Sequence, residues 1–152
     1  MPTRLTIAEL SAHAGDLIDT SEWVSIGRDD VVKFADATGD RQWIHVDAER
    51  SAAGPFGAPI AHGYLLLTVI AKLFPQVLEV TDRSMSVNYG TDRVRFVSPV
   101  RVGSSVRLTG TLMAVDNRPD GSALMKVATT LELQGSDEPA AEAEILFMVR
   151  PR

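Results

Sequence analysis

The sequence predicts an α+β fold in which a long antiparallel sheet curls around one buried helix. Two patterns predict it. The run His62 to Phe74 is apolar nearly all the way round, as a helix is when most of its faces are covered. After Pro75 the apolar residues recur with a period of two, as in half-buried strands joined by turns. At 152 residues the chain has the length of one domain, and a hydrophobic fraction of 45% is enough to build a core. One domain is expected over residues 1–152.

In chain order, Thr6 to Ala14 reads as a short helix and Trp23 to Ile26 as a short strand. Asp29 suits a helix N-cap, and Val31, Phe34, Ala35 and Thr38 follow at i, i+3, i+4 and i+7. Gly39 stands where a left-handed C-terminal residue belongs, so a helix is expected from Asp30 to Thr38. Asp40 to Pro59 reads as loop, with at most one helical turn around Asp47 to Ser51, because Gly54-Pro55-Phe56-Gly57-Ala58-Pro59 sustains no regular structure. Beyond the apolar helix, Met85, Val87 and Tyr89 share one parity. So do Val106, Leu108, Gly110 and Leu112, then Met125 to Leu133, then Ala143 to Val149. Asn117 to Gly121 and Gly135 to Pro139 have turn compositions between these strands.

Composition narrows the function classes. Lys and Arg number 15 against 20 Asp and Glu, a net charge of −5 with no basic run, which argues against a nucleic-acid partner or an anionic membrane surface. With no Cys, disulfides, thiolate nucleophiles and cysteine metal sites are excluded. Glu9 interrupts any apolar stretch at the N-terminus, so no signal peptide is expected. Tyr64 to Ala71 falls short of the roughly 20 apolar residues of a membrane span. A cytoplasmic protein is expected.

Chemistry concentrates between Thr38 and Tyr64. Asp40 and His45, just past a helix end, can converge on one small molecule if the loop curls; a carboxylate and an imidazole together can activate a water. The alternative is that Asp40 only shapes the turn while His45 bonds a backbone carbonyl. His62-Gly63 opens the apolar helix, where the first amides are unpaired and carry the positive end of the macrodipole. Lacking a side chain, Gly63 lets a ligand oxygen reach its N–H; equally, Gly63 can serve close packing with His62 as the cap. His13, near the N-terminus, reads as structural. A metal site from Asp40, His45 and His62 is conceivable but lacks a tight ligand pair, so no metal is expected.

Gly39-Asp40-x-x-x-x-His45, Gly54-Pro55-Phe56-Gly57 and Ala61-His62-Gly63-Tyr64-Leu65 resemble the MaoC-like dehydratase family, which includes the R-specific enoyl-CoA hydratases. The spelling Thr38 to Asp47, with Asn88-Tyr89-Gly90 and Val94-Arg95-Phe96, is most similar to its nodulation protein N subgroup. The resemblance implies a hot-dog fold and reversible addition of water to a trans-2-enoyl-CoA, giving the (R)-3-hydroxyacyl-CoA without a cofactor. It implies Asp40 as general base and acid, His45 as the partner that positions the water, and Gly63 N–H as donor to the thioester oxygen. His62, Tyr64, Trp43, Phe56, Asn88 and Arg95 are expected around the substrate, and Arg93, Arg101 and Lys72 are further candidates for the CoA anion. A homodimer is implied, with two sheets joined edge to edge. Gln42-Trp43 stands where the commoner spelling is Asn-Pro, and Ala71 where some relatives have serine. The alternatives are a hot-dog thioesterase and a non-catalytic acyl-thioester-binding protein.

Overall fold

The computed structural model describes residues 1–152. The chain runs β1 (Thr3–Leu5), α1 (Ile7–Leu10), β2 (Val24–Ser25), α2 (Arg28–Thr38), α3 (Trp43–Val46), α4 (Ala48–Ala52) and α5 (Gly63–Leu73). It continues with β3 (Leu78–Val80), β4 (Arg83–Phe96), β5 (Ser105–Asn117), β6 (Ala123–Leu133) and β7 (Ala141–Pro151). The last four strands form, with β2, an antiparallel sheet of order β2-β5-β6-β7-β4. β1 and β3 pair in parallel as a separate ribbon, which the sequence reading did not foresee.

The sheet curls around α5, which packs on β5, β6 and β7. Leu65, Leu66, Val69, Ile70 and Leu73 of α5 are buried against Val106, Leu108 and Leu112 of β5, Met125, Val127 and Leu131 of β6, and Ile145, Phe147 and Val149 of β7. Each side chain fully withdrawn from water there contributes about 1.5–3 kcal/mol. Past Leu73 the helix tightens into a 3-10 turn over Phe74–Gln76, and the Phe74 ring meets that of Phe147 at 4.3 Å. No helix is long and apolar enough to cross a membrane.

The structure corrects several local expectations. α2 begins at Arg28 rather than Asp30, and its cap is Gly27, not Asp29: the Gly27 amide donates to the Asp30 carboxylate at 2.8 Å. Thr6 to Ala14 is not one helix, since α1 gives way to a 3-10 turn at Ser11–His13. Within Asp40 to Pro59 the turn expected around Asp47 to Ser51 is present as α4, with Asp47 capping it by accepting from the Arg50 amide at 2.9 Å, but α3 adds a second turn that was not expected. β4 departs most. Its apolar parity, Met85, Val87 and Tyr89, is exposed, because α5 packs chiefly on β5, β6 and β7 and leaves these side chains uncovered.

Candidate active site

Two turns and a helix start build the site. α2 ends on Gly39 at φ +80°, in the left-handed region that glycine adopts without strain, and the chain reverses there. The Thr38 hydroxyl donates to the Phe34 carbonyl at 2.7 Å and accepts from the Asp40 amide at 3.3 Å, fixing how Asp40 leaves the turn. One Asp40 carboxylate oxygen accepts from the Gln42 amide at 3.4 Å; the side chain is exposed and its second oxygen is free for chemistry. Neighbouring Arg41 pairs with Asp36 at 2.6 Å instead.

α3 brings His45 inward, where it is buried. Its Nδ1 lies 2.7 Å from the Ile60 carbonyl oxygen. A carbonyl only accepts, so Nδ1 carries the proton and Nε2 keeps the lone pair of the neutral ring. The turn-and-carbonyl alternative is therefore present in both its parts: Asp40 accepts within the turn and His45 bonds a backbone carbonyl. The Ile60 amide donates back to the Ile44 carbonyl at 3.0 Å, clamping α3 to the strand-like approach of α5.

His62 is the N-cap residue of α5, but its side chain does not cap the helix. It is only 2% exposed, and its Nε2–H donates to the Asp40 backbone carbonyl at 2.9 Å. The two imidazoles stack with centroids 3.8 Å apart and planes inclined by 23°, and the Phe34 ring lies tilted against His62 at 4.9 Å. Ligand-type atoms of Asp40, His45 and His62 all lie within 4.8 Å of one another. One carboxylate and two imidazoles is a donor set that zinc accepts at about 2.0–2.2 Å, but in-plane lone pairs of stacked rings run side by side and do not converge on one ion.

Gly63 is the first residue of α5, so its amide has no acceptor within the helix. A cavity of about 280 Å³ opens beside it, lined by His45, Phe56, Gly63, Leu66, Phe96 and Pro99 among others. A Cβ built on Gly63 would come within 2.7 Å of the Phe96 ring, so close packing also asks for glycine here. The approach of Phe96 from the end of β4 had no local signal in the sequence, because the two residues meet only through the tertiary fold.

Phe56, His45 and Gly63 thus share one cavity; Asp40 and the other expected substrate residues do not line it. His62 lies behind His45, buried. Tyr64 is 69% exposed and meets Phe96 edge-on at 5.7 Å. Trp43 packs on Gly54 and under the Arg50 guanidinium, 4.4 Å from its ring centroid. Asn88 borders two grooves beside Ala71, of about 210 and 340 Å³. Arg95 is exposed and donates to the Val94 carbonyl at 2.9 Å; Arg93, Arg101 and Lys72 are exposed as well.

Comparison with known proteins gives this arrangement a context. A family model described as MaoC like domain matches residues 9–135. Over 144 residues the chain is 47% identical to 3-hydroxyacyl-thioester dehydratase Z of Mycobacterium tuberculosis, covering 95% of each protein. It is 35% identical over 148 residues to nodulation protein N of Rhizobium leguminosarum bv. viciae, covering 96% of this chain and 92% of that one. The unliganded R-hydratase of Pseudomonas aeruginosa has the same fold, with a TM-score of 0.73, 24% identity, and coverage of 97% of this chain and 87% of that structure.

Proposed function

Since the chain belongs to the MaoC-like domain family, we propose that it is a single-domain hydro-lyase of acyl thioesters. It adds water reversibly to a trans-2-enoyl-CoA to give the (R)-3-hydroxyacyl-CoA. One observation carries this reading: the Asp40 carboxylate and the His45 imidazole come within 4.8 Å of each other, beside a cavity that His45 shares with the Gly63 amide.

In this mechanism a water donates its two hydrogens to Asp40 and to His45 Nε2, both acceptors, so an oxygen lone pair faces C3 of the substrate. The new C3–O bond forms as the C2=C3 π bond breaks and negative charge moves to the thioester oxygen. The Gly63 N–H and the α5 macrodipole stabilise that charge; a donor of this kind is worth about 2.7–4 kcal/mol in the transition state. Asp40 takes the water's proton and returns it to C2, which balances the addition. Dehydration runs the same steps backwards. No cofactor or metal enters.

We further propose a cytoplasmic homodimer. β4 is 14 residues long and its outer edge has no strand beside it, while Met85, Val87 and Tyr89 expose apolar surface along it. Such an edge is a template for pairing. A second copy on β4 would join the two sheets and cover the grooves next to Asn88, placing Asn88 and Arg95 at the shared boundary.

Purified protein given enoyl-CoA substrates of increasing chain length, crotonyl-CoA first, should consume the enoyl-thioester absorbance and yield the R product. Release of free CoA thiol without hydration would point to a thioesterase instead. Tight binding with no turnover at any length would point to a non-catalytic acyl-thioester-binding protein.

A further inference from the structure

His62 occupies a position that the proposed chemistry does not use directly. It is 2% exposed and does not line the cavity beside Gly63. Its Nδ1 is buried with no hydrogen-bond partner. An unpaired buried nitrogen is a cost that an apolar ring of the same shape would avoid, so packing alone does not account for an imidazole here. What the imidazole provides is its other nitrogen. Nε2–H donates to the Asp40 carbonyl across 22 residues of sequence, tying the turn that carries the carboxylate to the residue just before Gly63. The face of the same ring lies on His45 at 3.8 Å.

We propose that His62 is a positioning residue, which sets Asp40 and His45 against the α5 amide through its Nε2–H bond and its stacked face, without touching substrate. The two rings are held in opposite tautomers by two backbone carbonyls: His45 donates from Nδ1 to Ile60, and His62 from Nε2 to Asp40. Each tautomer follows from an acceptor that offers no proton of its own. The bond to Asp40 matters most, because the carboxylate is on an exposed turn and few other contacts hold it.

This role rests on the hydratase reading, and two substitutions with one spectroscopic measurement test it separately from that reading. In His62→Gln the side-chain Nε2 stands the same number of bonds from the backbone as the imidazole Nε2, so the donor to Asp40 survives without the ring. In His62→Phe the ring survives without the donor. His62→Gln, which loses only the stacked face, should lose clearly less kcat than His62→Phe. His62→Phe should lose about 100-fold in kcat with KM unchanged, the size of effect expected when a catalytic group is displaced by about 1 Å. Unimpaired kcat in a folded His62→Phe, or an equal loss in both variants, overturns the proposal. Long-range nitrogen–proton NMR of the wild-type histidines should find His62 protonated on Nε2 and His45 on Nδ1. The reverse tautomer at His62 overturns the proposal even if His62→Phe does not fold. Wild-type protein that hydrates no enoyl thioester refutes the hydratase reading, and the tautomer result then still decides whether His62 holds Asp40.

Discussion

Gly63→Ala separates what the helix-start glycine does for packing from what it does for chemistry. The added Cβ would lie 2.7, 2.8 and 2.9 Å from three carbons of the Phe96 ring. Carbon atoms in good contact sit about 3.5–4.0 Å apart, so the ring must withdraw by about 1 Å. Phe96 is 43% exposed at the end of an edge strand, so it can swing outward. The cost is chiefly its edge-on contact with Tyr64, about 0.5–1.5 kcal/mol for such a pair. Replacing glycine by alanine in a helix returns about 0.5–1 kcal/mol when the backbone permits it. The two nearly cancel, so the melting temperature should move by no more than about 4 °C. Turnover should respond differently. A methyl group beside the amide and a displaced Phe96 both obstruct the approach of a thioester oxygen, and loss of one such donor costs about 10²–10³ in kcat. Steady-state hydration kinetics and a thermal melt on the same preparation check both figures. A stable Gly63→Ala protein with wild-type kcat and KM would refute the oxyanion role and leave Gly63 a packing residue.

Trp43→Ala should lower stability by about 2 kcal/mol, less than a full core truncation because the ring is half-buried, and leave KM unchanged because Trp43 does not line the cavity; chemical denaturation and substrate titration check the pair of outcomes. Gly110→Ala should destabilise by about 1–3 kcal/mol, since its Cβ would meet the Ala128 backbone carbonyl oxygen, which cannot swing aside; a melt within error of wild type would contradict this. On the proposed pairing of β4 edges, wild type should sediment as a dimer and Val87→Asp as a monomer; a wild-type monomer would contradict the pairing. The Thr6 amide, and then its hydroxyl, hold the Glu9 carboxyl below the usual carboxylate range. A depressed pKa contributes stability while the group is ionised, and that contribution fades as pH falls through the folded value. Glu9→Gln should therefore lose less stability on acidification than wild type, as read from melts at neutral and acidic pH.

The parts of the fold that were legible in the sequence are those whose pattern and burial coincide within one element. α5 is apolar on most faces because the sheet surrounds it, and β6 and β7 alternate because one face of each is core. In β5 the alternation changes phase after Leu112, where a bulge shifts the register so that Val115 rather than Ala114 packs against the core. β4 alternates just as cleanly, yet its apolar parity faces solvent in a single chain; period two marks a strand and does not say what covers it. The turn expected around Asp47 to Ser51 is α4, marked by its Asp47 cap, whereas the four residues of α3 are too few for periodicity within a stretch punctuated by glycine and proline. At the site, the spacing of Asp40 and His45 and the Gly63 helix start could be read directly. The bonds that orient them could not: Ile60 to His45 and His62 to Asp40 join residues 15 and 22 apart, and a histidine's spelling does not tell which of its nitrogens donates.

The central claim is that the Asp40 carboxylate activates a water for addition to an enoyl thioester. Asp40→Asn keeps the shape of the side chain and its acceptor for the Gln42 amide while removing the base. Rates of enoyl-CoA hydration by wild type and this variant, measured side by side at saturating substrate, test the claim most directly. Asp40→Asn should lower kcat by about 10²–10⁴-fold with an unchanged melting temperature. Turnover within a few-fold of wild type would contradict it.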